Sequence, residues 1–276
     1  MSLKVAVNSL PPKTVNGRKV MPNAWAIGLY SYSASHPGAE GFNRFYDSVL
    51  AVFQAAGITP TYFAAEGAGY RGNLTKYGGR THAKALRTGF SDLHVMSLVA
   101  NPAESDEPAY DSFASASLAY VKDTGETLLC LALEERLLEF GGSAFENVLQ
   151  SLVCLNSWDF GYALSQPAEK KPEFHVLGLD GGVVSQEDSR RLNAWYAAPP
   201  KERLRKLRDI YPYLVLNAAQ LAAPVSGDHV LENVARSESL STLNSLDGTS
   251  LWLWKIPPEA VTNLRAKLVG SGVLIT

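Results

Sequence analysis

The sequence predicts an α+β fold of mixed, largely antiparallel sheets with helices packed on them. Three observations carry this. Short aromatic and β-branched runs recur between Gly and Pro breaks, as strands do. Other segments repeat apolar residues at helical spacing. The two kinds do not alternate strictly as β-α-β-α, the order that would signal a parallel sheet, and one pair of runs flanks a short turn as a hairpin does.

The elements follow in order. Residues 24–33, AWAIGLYSYS, read as a strand. Over 41–56, Phe42, Phe45, Val49, Val52 and Phe53 fall at helical spacing, and Gly57 follows as a C-terminal cap. Residues 58–64 are strand-like, 65–91 loop-rich with six glycines, and 92–100 a strand. FASASLAYV and TLLCLALE flank the turn KDTGE, with Gly125 supplying the permissive backbone. Ser143, with Glu146 three residues on, reads as the capped start of a helix to about 156. Residues 174–179, FHVLGL, read as a strand, and 187–197 and 200–209 as helices. A strand at 213–216, a helix at 228–236, a strand at 250–256, a proline-started helix at 257–268 and a terminal strand VLI complete the chain. Residues 1–276 read as a single domain, with the polar break SQPAEKKPE at 165–173 as the candidate boundary between two pseudo-similar lobes.

Composition narrows the function classes. Of 276 residues, 46% are hydrophobic and 19% charged, and 10 Phe, 12 Tyr and 5 Trp are too many aromatics for a disordered chain. A net charge of −2 provides no whole-molecule field for nucleic acid or an acidic membrane. No apolar run reaches the length of a membrane span or a secretory signal, so the cytoplasm is the expected compartment. Cys130 and Cys154 both sit in apolar runs and read as buried thiols.

Familiar catalytic chemistry finds little support. Gly67-Ala68-Gly69-Tyr70-Arg71-Gly72 matches a dinucleotide fingerprint, but Gly78 and Gly79 oppose the helix that should open there, so it reads as a loop. His36, His82, His94, His175 and His229 are scattered, with no spacing that places two imidazoles on one metal. Ser143 lacks the second glycine of a nucleophile elbow. Adjacent Glu134 and Glu135 on a strand face opposite sides. No catalytic residue, cofactor or metal site is assigned. An enzyme with a dispersed site around the Gly67–Gly79 loop, drawing on Tyr70, Arg71, His82 and Glu104, is the alternative. A nucleic-acid binder using the basic run Arg71 to Arg87 and the segment PKERLRKLRD is a third.

Two features remain. Residues 67–91 hold Arg71, Lys76, Arg80, Lys84 and Arg87 without an acid, whereas 92–121 hold Asp92, Glu104, Asp106, Glu107 and Asp111 without a base. Trp195, Tyr196, Tyr211 and Tyr213 lie in polar neighbourhoods, and such rings are favoured at protein interfaces.

One further pattern runs through the C-terminal half: Asp209-Ile210-Tyr211-Pro212, Asn217, Pro224-Val225, Leu246-Asp247-Gly248, Trp252-Leu253-Trp254, then Val261, Leu264, Arg265, Leu268 and Gly272. Trp25-Ala26-Ile27-Gly28, Phe42, Phe45, Leu50 and Gly161-Tyr162-Ala163 extend it through the first half. With these residues the chain resembles the immunity protein 52 family of bacterial polymorphic toxin systems, over most of its length. The resemblance implies a protein that binds and neutralises a cognate secreted, type VI-like toxin, one with a restriction-endonuclease-like nuclease domain, in the cytoplasm and without catalysis. Nucleic acid and membrane are not expected partners. A nuclease exposes a basic groove, which an acidic segment could occupy. The expected contact residues are therefore Glu104, Asp106, Glu107 and Asp111, with Trp195 and Tyr196 as aromatic anchors.

Overall fold

The computed structural model describes residues 14–15, 18–19, 22–32, 35–102, 111–179, 185–238 and 241–275. In the first half, β1 (Thr14–Val15), β2 (Arg18–Lys19) and β3 (Asn23–Ser31) lead to α1 (Gly38–Ala55). Then come β4 (Tyr62–Gly67), β5 (Tyr70–Arg71), β6 (Thr75–Lys76), α2 (Arg80–Arg87), β7 (Leu93–Ala100), β8 (Ala114–Val121), β9 (Glu126–Glu134) and α3 (Ser143–Val153). The second half holds β10 (Phe160–Pro167), α4 (Pro172–Leu177), α5 (Gln186–Ala197), α6 (Pro200–Arg203), β11 (Tyr213–Leu216) and α7 (Ala218–Leu221). It closes with β12 (Pro224–Ser226), β13 (His229–Val230), α8 (Leu231–Ser237), β14 (Thr242–Ser245), β15 (Trp252–Lys255) and α9 (Pro258–Leu268).

One 11-stranded sheet organises the molecule, in the order β14-β15-β11-β10-β3-β9-β8-β7-β4-β5, with β6 also on β4. Every pair of described strands in it is antiparallel; the parallel element is an isolated bridge, Leu207 to Leu274. The α+β class read from the sequence is the class of the fold. Among the described residues no helix is long and apolar enough to cross a membrane.

The centre of the sheet is buried on both faces, because its strands are apolar at every position rather than alternately. On β3, Trp25, Ile27 and Leu29 point into a core built with α1 and α3. Ala26 and Tyr30 point into a second core with Val176 of α4, Trp195 of α5 and Leu264 of α9. The sheet is thus the middle of three layers. The helical period read over 41–56 is the buried stripe of α1: Phe42, Phe45, Tyr46, Val49, Val52 and Phe53. Trp25 fastens the first core, packing edge-on to Phe145 at 5.1 Å and donating its indole N–H to Leu138 O at 2.7 Å.

Several local expectations need correction. FHVLGL is not a strand: Pro172 opens α4 and Gly178 ends it in the left-handed conformation (φ 73°). The helix expected over 200–209 stops at Arg203. Ser143 is the first residue of α3, whose N-cap is Gly142 with no side-chain cap. Gly67 to Gly72 form the β4–β5 hairpin turn. Cys130 is buried as expected, but Cys154 is exposed. The polar segment 165–173 holds the end of β10, a single 3-10 turn and the start of α4; β10 there pairs with β3 as far as Pro167.

Candidate partner-binding groove

An open groove of about 830 Å³ lies at the edge where β11 ends and β10 and β15 begin. Asp159, Asn217 and Trp252 line it from the strand ends, Ala218 and Ala219 from α7, and Lys201, Glu202, Leu204 and Arg205 from α6 and the turn after it.

Asn217 joins these walls. Its side-chain carbonyl accepts the N–H of Gln220 (2.9 Å), and Gln220 Oε1 accepts the N–H of Asn217 (3.1 Å), a reciprocal cap on α7. Its amide Nδ2 donates to Asp159 O (2.8 Å) and to Leu204 O (3.1 Å), so one side chain holds β10, the α6 turn and α7 together. Fully buried Gln220 adds Nε2 bonds to Arg203 O (3.3 Å) and Lys206 O (3.1 Å). Asp159 is itself committed: Oδ2 accepts Tyr32 N–H at 2.7 Å and Ser31 Oγ–H at 3.3 Å. Beneath, buried Arg203 grips the Glu126 carboxylate with both terminal nitrogens, and its guanidinium lies 4.8 Å over the Tyr32 ring.

What remains available to a visitor is a half-buried Trp252 wall, a small-residue floor and a rim bearing Lys201 and Arg205, with Glu202 paired to Lys206. An apolar centre carrying an aromatic inside a charged rim is the anatomy of a protein contact.

A second polar centre lies across the sheet end, under a cavity of about 270 Å³ lined by His175, Asp188, Asp209, Tyr211 and Arg265 among others. Buried Arg208 donates to the hydroxyls of Tyr162 and Tyr30 (3.3 Å) and to His175 O (2.7 Å). Burial raises the pKa values of Tyr30, Tyr162 and Tyr211. Burial, reinforced by the Arg208 cation, lowers His175 to about 3. Next to it, Asp209 takes Arg265 (2.6 Å) and Arg191 (3.3 Å). At neutral pH the tyrosines and His175 are therefore neutral. Their hydroxyls and rings form a braced hub between α4, β3, β10 and residues 208–211.

Glu104, Asp106 and Glu107 lie outside the described residues, and Asp111 is exposed just before β8. Trp195 is not a surface anchor: it has no exposed area and packs 5.3 Å from Phe160 and 6.1 Å from Tyr32. Tyr196 is 38% exposed; its hydroxyl donates to Val176 O at 3.1 Å. Around the Gly67–Gly79 loop, Arg71 is exposed and the Tyr70 hydroxyl meets Thr88 Oγ1 at 3.2 Å. His82 is buried with both ring nitrogens engaged: Nδ1 accepts Gly78 N–H (3.1 Å) and Nε2 donates to Tyr46 Oη (2.8 Å). Burial lowers its pKa. Trp252 and Asn217 were legible as part of the family-like pattern but not as groove residues. Their roles depend on where the strands end, which periodicity does not fix.

No protein-family model matches the sequence, and comparison with curated proteins gives no match. Among solved structures the fold is similar to that of the Pseudomonas aeruginosa T6SS protein PA0821. The TM-score is 0.58 at 14% identity, over 92% of this chain and 73% of that one. At that identity the likeness is one of fold.

Proposed function

We propose that this protein is an immunity-type binding protein that neutralises a cognate type VI-secreted toxin in the cytoplasm by direct contact and without catalysis. The observation that carries the reading is the fold shared over nearly the whole chain with a type VI secretion protein. The resemblance of the Asp209–Gly272 pattern to the immunity protein 52 family points the same way, and to a nuclease as the toxin. The groove walled by Trp252 is the proposed contact surface. Its mixed rim suits occlusion by shape better than imitation of a phosphate backbone, which a net charge of −2 would serve poorly.

The test uses the toxin encoded beside this gene. Co-expression should abolish its toxicity, and the two purified proteins should form a stable complex. Trp252→Ala should weaken that complex by about 2 kcal/mol, the scale of a buried aromatic anchor. A neighbouring gene product that is harmless without this protein, or that stays separate from it on a sizing column, would overturn the reading.

A further inference from the structure

A run of cations without ion-pair partners among the described residues lies on α2, far along the sheet from the groove. On α2, Arg80, Lys84 and Arg87 follow one another at spacings of four and three, so they form one stripe. His82 and Ala85 take the opposite, buried side. Arg71 on β5 and Lys76 on β6 lie near α2 but face the other side of the sheet, because their strand neighbours Tyr70 and Thr75 face the helix side; Arg71 there stands opposite Glu66 of β4. Lys84 Nζ donates to Gly69 O at 2.8 Å and stands 4.2 Å over the Tyr70 ring, while Gly79, the N-cap of α2, donates its N–H to Lys76 O at 3.0 Å.

None of the three cations on α2 makes an ion pair among the described residues, whereas Arg136, Arg191, Arg203, Arg236 and Arg265 elsewhere each hold a carboxylate. The arrangement works against the helix that carries it. Like charges one turn apart repel, and Arg80 sits at the N-terminal end, where the helix dipole already carries positive charge. The first turn of α2 contains no acid to offset this. Beside the stripe, Leu86 is 47% exposed.

We infer that the exposed face of α2 docks onto an acidic surface of a protein partner. Charge complementarity selects the acid, and Leu86 supplies the apolar anchor that such interfaces place among charges. Nucleic acid fits less well. The bases of a single strand stack on free aromatic faces, but Lys84 covers Tyr70 and Tyr77 is stacked on His82 at 4.3 Å. The helical stripe is also only about 10 Å long, from seven residues at the helical rise. This inference stands independently of what fills the Trp252 groove.

Two probes decide it. One is a 20-residue amphipathic acidic peptide with leucines on one face and glutamates beside them; the other is a 20-base-pair DNA duplex. Binding of each to the full chain is followed by fluorescence anisotropy at 50 and 200 mM salt. The peptide should bind, more weakly at the higher salt. Its affinity should fall at least tenfold in Arg80→Gln/Lys84→Gln/Arg87→Gln and about fivefold in Leu86→Ala. These residues are exposed or half-buried, so unchanged melting curves certify the variants. Failure of the peptide to bind, an affinity indifferent to the triple substitution, or tighter binding of the duplex at either salt each overturns the inference.

Discussion

Replacing Asn217 by alanine tests whether a single side chain holds the groove together. The substitution removes three hydrogen bonds: the cap accepted from Gln220 N–H at 2.9 Å, and the donations to Asp159 O at 2.8 Å and Leu204 O at 3.1 Å. Loss of an Asn N-cap costs about 1 kcal/mol. Each carbonyl bond contributes about 1 kcal/mol net, somewhat less where water from the groove can replace the amide. The expected destabilisation is about 2–3 kcal/mol, equivalent to a melting temperature lower by roughly 3–5 °C for a chain of this size. Asn217→Ser keeps the cap acceptor but loses both donations, so it should fall about midway. Urea unfolding followed by circular dichroism, with the slope unchanged, measures both. An alanine variant within about 0.5 kcal/mol of the wild type would refute the bridging role. A serine variant as unstable as alanine would refute the cap.

Two further outcomes follow from the cores. Trp195→Ala should cost about 3–5 kcal/mol in urea unfolding, as deletion of a buried ring does, whereas Tyr196→Phe should cost about 1 kcal/mol or less through loss of its bond to Val176 O; equal effects would contradict their placement. His175 titrates at about 3 in the fold against 6.5 when free, so the unfolded chain takes up this proton first as pH falls. Stability from neutral His175 is whole above pH 6.5 and drains as pH falls toward 3. His175→Gln should therefore flatten the decline in urea midpoint between pH 7 and 4, and parallel curves for variant and wild type would exclude the effect.

The regular elements were legible where local pattern and tertiary role coincide. The Phe42–Phe53 stripe, the β8–β9 hairpin around Gly125 (φ 68°) and β11 at 213–216 each follow from spacing or turn chemistry alone. FHVLGL misled because a six-residue run with four large apolar side chains fits a buried helix turn as well as a strand; the arbiters were Pro172 just before it and Gly178 within it. Gly178 is needed there twice over, since φ is 73° and a Cβ would lie 2.3 Å from the Tyr196 ring. Trp195 sat among polar letters, yet it is on the inward side of an otherwise polar α5. The groove was illegible because it belongs to no segment: it exists only where the ends of three strands, α7 and the α6 turn meet.

The position of β3 has a consequence for how the chain is made. This strand leaves the ribosome well before its hydrogen-bonding neighbours, β9, about a hundred residues later, and β10, later still. Until residue 167 has been synthesised, a strand apolar on both faces has at least one unsatisfied edge. Translation at 5–20 residues per second leaves that edge bare for roughly ten seconds or more. β11, β15 and β14 join the sheet only after this edge is covered, and the nascent N-terminal half is the stage at which a holding chaperone would matter most.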